Sequence, residues 1–484
     1  MSGGAAAGDY DGDGWTDLYV TRLDGSGVLY RNDHGRFRDV TARTKLDVLH
    51  EPSNGAVWAD VDNDGHLDLY VTTLAGRRFY LFHNDGRGHF TDETLARNAA
   101  LRSDDPHVGF GIGVGDYDGD GYVDLFTTEW RSPELVPPGR ASDQALLHNR
   151  GATAPGFFEN VTKRAGVGLG QGAPAFGFAA AFADLDGDRR PDVFLASDFG
   201  TSRLFWNNGN GTFTDGTKTA AVSTDENGMG LTIADYDGDG EPDVFVSSVF
   251  DSTPFCDQGL CGHGTTGNRL YRNDGHRHFT DVTSRAGVRD GGWGWGAAFF
   301  DATNSGRLDL VQAGGVDYPW ERQSFQYRSG PTFLWSNRGD GTFTNVATAA
   351  GMTTPGPGKG LLVFDYNRDG RLDVLITRDG STPVLYENVG GAHNAWLTVR
   401  LRGTRSNREG LGAVVSLRKR AGDRPQVRLY DSVSHFLGQS DVAAHFGLGR
   451  VDGRVAEVRV QWPSGRVSVA RDVGVDREIL LVEP

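Results

Sequence analysis

Cysteine is nearly absent, with Cys256 and Cys261 the only two among 484 residues. Two thiols exclude a disulfide-built scaffold and a four-cysteine zinc site. Their spacing, CDQGLC, would allow one small loop closure. Long apolar runs are also missing, and nothing approaches the ~18 residues of a membrane helix. No long amphipathic helix is visible. Basic residues are in deficit, since 48 Lys and Arg against 64 Asp and Glu give a formal charge of −16. Such a chain is poorly suited to nucleic acid, which is held through a basic face. The opening residues, MSGGAAAGDYDGDG, show no basic n-region and no apolar h-region. A cytoplasmic location is therefore expected, or an extracellular one if a leader was removed. No phosphate loop, nucleophile elbow or dinucleotide fingerprint occurs. Glycine, by contrast, is abundant at 70 residues, without the Gly-X-Y period of collagen.

The acidic residues fall into one repeated element. It reads DYDGDGWTD from Asp9, DVDNDGHLD from Asp60, DYDGDGYVD from Asp116 and DLDGDRRPD from Asp184. It returns as DYDGDGEPD from Asp235, DATNSGRLD from Asp301 and DYNRDGRLD from Asp365. Successive starts lie 51, 56, 68, 51, 66 and 64 residues apart. Before each copy runs an apolar segment entered through glycines, such as GFGIGV, GMGLTIA or GKGLLVF. After it come a β-prone run such as DLYV, a segment such as VLYRN or FYLFHN, and a phenylalanine strand such as GTFTDGT. Four short strands per unit, repeated seven times, predict an all-β fold, a seven-bladed β-propeller over residues 1–390. Only six phenylalanine strands are present. The seventh blade is therefore expected to have three strands of its own, or to borrow one from Ala395–Leu401.

The loop chemistry is that of an oxygen cage. Carboxylates at positions 1, 3, 5 and 9, turned by glycine at position 6, suit calcium, and the lack of clustered His and Cys argues against zinc. The expected ligands are Asp9, Asp11, Asp13 and Asp17; Asp60, Asp62, Asp64 and Asp68; and Asp116, Asp118, Asp120 and Asp124. Asp184, Asp186, Asp188 and Asp192 follow, then Asp235, Asp237, Asp239 and Asp243, then Asp365, Asn367, Asp369 and Asp373. The sixth copy keeps only Asp301 and Asp309, with Thr303 and Ser305 as neutral oxygens, and should bind weakly or stay empty. Arg189 stands where glycine is expected in the fourth. The ions should be mainly structural, each clipping an inner hairpin.

After Gly390 the repeat stops, and residues 391–484 alternate apolar and polar positions, as in AWLTVRL and AEVRVQW. This predicts a small β-sandwich. The acidic loops and FTDVT strands resemble FG-GAP/VCBS repeats, calcium propeller repeats also seen in integrin α-subunits. SNREGLGA at Ser406–Ala413, SHFLGQSD at Ser434–Asp441, HFGLG at His445–Gly449 and VQWPSG at Val460–Gly465 resemble the ASPIC/UnbV domain. The whole is similar to the cartilage acidic protein-like family and its bacterial members. The resemblance implies a calcium propeller with a C-terminal domain. It leaves two activities open: extracellular matrix proteins in animals, and ring-forming or coupling enzymes of natural-product pathways, including enediyne pathways, in microbes.

Strand order assigns faces. The acidic loops and tight hairpins share one face, while the loops between second and third strands and the blade-to-blade connections share the other. The long, irregular loops start at Glu129, Phe250 and Gly314, all on the second face. Loops of this kind on a rigid ring usually serve binding. Candidate acids and bases there are Glu129, His107, Asp198, Asp251 and Asp317, with Arg131 and Lys359 as oxyanion partners. Trp130, Trp295, Tyr318 and Trp320 are candidate substrate surfaces. The expected pocket lies off-centre toward the third, fifth and sixth blades. One reading is a non-redox enzyme, without redox cofactor, that cyclises or couples a bacterial small molecule. The other is an extracellular calcium-dependent adhesion or scaffold protein binding protein or glycan.

Overall fold

The computed structural model describes residues 2–47, 49, 51–103, 105–130, 144–169, 175–252, 256–257, 260–261, 264–317, 327–328, 330–353, 356–432 and 435–484. Each repeat forms one antiparallel sheet. In the second, strands Ser53–Ala59, Asp68–Thr73, Tyr80–Asn84 and Phe90–Asp92 lie side by side in chain order. The inner strands of the seven sheets are Ser2–Gly8, Ser53–Ala59, Gly109–Gly115, Gly177–Ala183, Leu231–Ala234, Gly294–Phe300 and Gly358–Phe364. Each runs beside the next, and the last lies beside the first, so the ring closes.

Glycine crowds these inner strands because neighbouring backbones nearly touch near the axis. A Cβ at Gly55 would come within 2.1 Å of the Phe110 carbonyl oxygen, and one at Gly230 within 2.2 Å of that of Trp295. Away from the axis, aromatic and aliphatic side chains fill the wedge between sheets. Tyr19, Leu29, Trp58, Leu69 and Phe82 form one such cluster.

A repeated asparagine ties each sheet to its predecessor. In the fourth sheet the ninth-position Asp192 accepts the backbone amide of Asn207 at 2.8 Å. The Asn207 side-chain Nδ2 then donates to Pro191 O at 2.9 Å and to Tyr117 O, in the third sheet's acidic loop, at 2.7 Å. The same inter-sheet bond joins Asn84 to Tyr10, Asn149 to Val61, Asn273 to Leu185, Asn337 to Tyr236 and Asn388 to Ala302. Asn32 donates to Tyr366 O at 2.8 Å and closes the circle from first sheet to seventh.

The seventh sheet has three strands, Gly358–Phe364, Asp373–Arg378 and Ser381–Tyr386. Of the two expectations for it, the unaided one is observed. The borrowed strand is not, because Ala395–Arg402 pairs instead with Ala444–Gly449 and Arg477–Val482. That three-stranded sheet faces a four-stranded one built around Ala413–Arg418 and Arg454–Gln461. Leu397, Val399, Val415, Leu417, Val458 and Val460 are buried together in one core.

This C-terminal domain sits on the acidic-loop face. Glu409 Oε2 accepts the Asp60 amide at 2.9 Å, the Arg408 amide donates to Asn63 Oδ1 at 2.9 Å, and His445 Nε2 lies 2.8 Å from Asn304 Oδ1. Its residues His435–Ser440 enter the ring. Residues Gly438–Gln439 add a parallel strand to Ser2–Gly8. The amides of Ala5, Trp58, Ala297 and Val363 donate to Leu437 O, Gln439 Oε1, His435 O and Ser440 Oγ. His435 Nδ1 also lies 3.3 Å from Leu231 O, so one segment bonds to inner strands of the first, second, fifth, sixth and seventh sheets.

The stitch predicts a sharp contrast between two adjacent asparagines. Asn207→Ala strips two buried carbonyls and the Gly209 amide of their partner, at ~1 kcal/mol or more each. Chemical denaturation should show a loss of about 3 kcal/mol. Asn208→Ala, at the exposed hairpin, should stay within about 0.5 kcal/mol. Equal effects would contradict the stitch.

Candidate functional site

The face away from the acidic loops holds a cavity of about 540 Å³ at the mouth of the ring. Its wall has a repeat basis. The residue just before the close-packed small residue of each inner strand points into it. These seven equivalent positions are Gly3, Asn54, Phe110, Phe178, Met229, Trp295 and Lys359. Loops between second and third strands add Leu23, Leu74, Trp130, Asp198, Val249 and Asp379. Phe436 and Leu437, the tip of the inserted C-terminal segment, lie beneath.

Four of the collar residues, from the third to the sixth sheet, are large and apolar. The three from the seventh, first and second are Lys359, Gly3 and Asn54. The collar therefore has an aromatic side and a polar, open side. On the aromatic side Phe436 sits 4.7, 5.5 and 5.9 Å from the ring centres of Trp295, Phe178 and Phe110. Trp130 stacks on Phe178 at 13° and 6.3 Å. Its Nε1 donates to Asp198 Oδ2 at 3.1 Å, and Asn227 Nδ2 donates to Asp198 Oδ1 at 2.7 Å. Lys359 Nζ stands 3.5 Å above the Trp295 ring. Burial pushes its amine down to about 7, against the pull of the Asp379 carboxylate.

Four sequence candidates, Trp130, Trp295, Asp198 and Lys359, thus meet in one cavity. Glu129 and His107 do not. They face each other at 2.7 Å, but each is only 3% exposed. His107 packs on Phe79 of the second sheet, and its other nitrogen faces Leu101 O at 2.6 Å. The pair is buried between second and third sheets, where it fixes the connection preceding Gly109. The expectation of an acid–base pair at the channel mouth is corrected accordingly. Asp251 and Asp317 do not line the cavity, and Asp317 is exposed and paired with Arg328 at 2.6 Å. Arg131, Tyr318 and Trp320 lie outside the described residues. Nor is the cavity off-centre in its described lining, since every sheet contributes to it. Phe110, Phe178, Met229 and Phe436 were not among the candidates. For the first three the signal was the second residue of each glycine-entered run, which reads as an apolar strand until the runs are compared position by position, while Phe436 lies in SHFLGQSD of the C-terminal domain.

On the other face, ligand atoms of Asp9, Asp11 and Asp13 lie within 4.8 Å of one another, as do those of Asp60, Asp62 and Asp64, and of Asp116, Asp118 and Asp120. Asp60 Oδ1, Asp68 Oδ2 and Asp235 Oδ1 are buried and accept no hydrogen bond. Burial, together with neighbouring carboxylates, pushes Asp17 and Asp192 up to about 8 and Asp243 up to about 9. Clustered carboxylates with orphaned buried oxygens fit a hard cation, and in the second and third loops a histidine stands beside the set, His83 Nδ1 3.0 Å from Asp68 Oδ1 and His148 Nδ1 3.2 Å from Asp124 Oδ1. The loops keep one shape through backbone bonds to the first aspartate, even in the sixth copy, where Ser305 donates to Asp301 at 2.9 Å. Arg189 adopts φ of 69°, in the range where the other loops place glycine, at a cost of about 1 kcal/mol. A second cavity, of about 380 Å³, separates this face from the C-terminal domain. In it Arg400 pairs with Asp441 and Glu478, whereas Arg428 Nη2 and Asp431 Oδ2 are buried without a hydrogen-bond partner.

Residues 9–71, 60–127, 142–246 and 325–376 match the FG-GAP-like repeat family, and residues 403–484 match the ASPIC and UnbV family. The chain belongs to the FG-GAP-like repeat family. Its ASPIC and UnbV domain supplies the inserted segment. The chain is 24% identical to human cartilage acidic protein 1 over 506 residues, spanning 97% of this chain and 70% of that protein. The mouse protein is 25% identical, spanning 97% and 71%. Among solved structures, an Agrocybe aegerita lectin specific for non-reducing terminal N-acetylglucosamine is similar at 18% identity, with a TM-score of 0.46 and coverage of 80% of this chain and 92% of that one. The Burkholderia pseudomallei lectin BP39L is similar at 11% identity, with a TM-score of 0.48 and coverage of 80% and 98%. No described helix is long and apolar enough to cross a membrane.

The depressed Lys359 amine makes a signed prediction. The unfolded chain, with lysine near its usual 10.5, holds this proton between pH 7 and 10.5, while the folded chain does not. Stability therefore rises with pH across that window. The melting temperature of Lys359→Met, relative to the wild type, should be most favourable at or below pH 7 and should lose ground steadily toward pH 10. A difference that stays constant across the window would contradict the burial of this amine.

Proposed function

We propose that the collar cavity receives a small molecule, and that the protein is a redox-cofactor-independent enzyme that cyclises or couples a bacterial natural product there. The observation that carries this reading is the cavity itself, concave and aromatic with a few convergent polar groups. Lys359 takes a proton or steadies a developing oxyanion, and Trp295 offers a stacking face. The Asp198 carboxylate orients Trp130 and Asn227 around the bound molecule. A second reading, an extracellular calcium-dependent adhesion or scaffold protein, draws support from likeness to cartilage acidic protein 1 along nearly the whole chain.

Calcium belongs to the scaffold in either reading. Six acidic loops, from the first to the fifth and the seventh, hold it through their clustered aspartates, and the sixth does without. When bound, the ion supplies counter-charge to carboxylates that otherwise repel one another.

Two experiments test the proposal. Small molecules released on denaturing the protein from its own cells should include, by mass spectrometry, a compound absent from the Trp295→Ala variant. Conversion of that compound should fall at least ~10²-fold in Lys359→Met. Retention without turnover would favour the scaffold reading. For calcium, chelation should lower the melting temperature, and calcium should restore it better than magnesium, which demands a stricter six-coordinate shell. Asp116→Ala should matter more than Asp301→Ala. An unchanged melting curve after verified metal removal would overturn the calcium assignment.

A further inference from the structure

The collar varies around the ring in a way that defines its ligand. One inner-strand position recurs in seven sheets, so geometry alone would make a symmetric mouth. Phe110, Phe178, Met229 and Trp295 follow one another on one side, and Lys359, Gly3 and Asn54 complete the circle. Gly3 puts no side chain on the polar side, since a Cβ there would meet Thr21 Oγ1 at 2.7 Å. The only amine among the seven collar positions stands at the edge of the aromatic side, with its Nζ over the Trp295 ring.

The depth of the cavity is set from the other domain. Phe436 and Leu437 adopt φ of 80° and 47°, a left-handed pair without glycine. Such backbone persists only where its surroundings over-determine it, and it marks functional positions often. Here the segment is pinned on both sides of the tip, by Ala297 donating to His435 O at 3.2 Å and Ala5 donating to Leu437 O at 2.8 Å. The tip delivers an aromatic ring to the cavity floor against Trp295, Phe178 and Phe110.

We infer that the cavity takes a flat aromatic molecule bearing an oxygen anion on one edge, with its ring against the third to sixth sheets, its oxygen at Lys359, and its permitted depth fixed by Phe436 of the C-terminal domain. This inference rests on the reading of the collar as the ligand site. Apolar walls favour ring burial, and the amine on their edge, when protonated, selects a charged oxygen through a charge-assisted hydrogen bond.

The test uses the full chain with three probes: 2-naphthoate, its methyl ester, and 1-pyrenecarboxylate, followed by tryptophan quenching and calorimetry. The wild type should prefer 2-naphthoate over the ester, and over the larger acid, by at least ~10-fold each. Lys359→Met should abolish the first preference while keeping ester binding. Phe436→Ala should abolish the second, and Phe436→Trp should sharpen it. Phe436→Leu guards against a folding defect, since it should keep the wild-type melting temperature and shift the size preference partway. Probes that bind, are lost in Trp130→Ala, and yet rank identically in every Lys359 and Phe436 variant would overturn this inference while leaving the ligand site in place. If no probe binds, or if Trp130→Ala changes nothing, the site and the inference fall together.

Discussion

The structure hangs on a hydrogen bond that crosses from sheet to sheet. Adjacent sheets of a ring pack through close-set inner strands and interdigitating apolar side chains, which carry no directional bond from one sheet to the next. The buried asparagine supplies one. Its backbone amide is held by the ninth aspartate of its own loop, and its side chain reaches the second peptide carbonyl of the loop before it. Seven such links carry the geometry of one loop into the next and bring the first sheet round to the seventh. The loops are alike because each must present a carbonyl at the same place. Their uniformity is a demand of the ring as well as of any ion they hold.

That uniform face is also where the C-terminal domain docks. Asn63 and Asn304 occupy position four of their loops, and each meets a residue of that domain, Arg408 and His445 respectively. The segment that follows through the ring exchanges backbone and side-chain bonds with the inner strands of five sheets. One domain thereby shapes a cavity that opens on the far side of the other. The far face carries none of the repeat's obligations except one close-packed small residue per strand. The position before that residue is free to vary, and there the chain differs from sheet to sheet.

Much of this was legible in the sequence. The seven acidic loops, their glycine turns and the four-strand rhythm state the architecture, because turn chemistry and alternation are local. The face of the cavity followed from strand order, and with it Trp130, Asp198, Trp295 and Lys359. Glu129 and His107 misled because the end of a strand can turn into the crevice between sheets as easily as into the channel, and only packing against Phe79 decides. The asparagines were visible in VLYRN and FYLFHN, yet their partner carbonyls belong to a preceding repeat. SHFLGQSD marked the C-terminal domain without revealing that its middle residues lie inside the other domain. Contacts between units so distant in sequence leave no local trace.

Hydrogen exchange at the four amides that donate into the inserted segment tests most directly whether ring and C-terminal domain form one unit. The account predicts that Ala5, Trp58, Ala297 and Val363 exchange only with global unfolding, at the same free energy as amides of the buried second strand of the fourth sheet, such as Val193 and Leu195. Exchange of these four through a lower-energy opening, with Val193 and Leu195 still protected, would show that the segment leaves the ring on its own and would contradict the account.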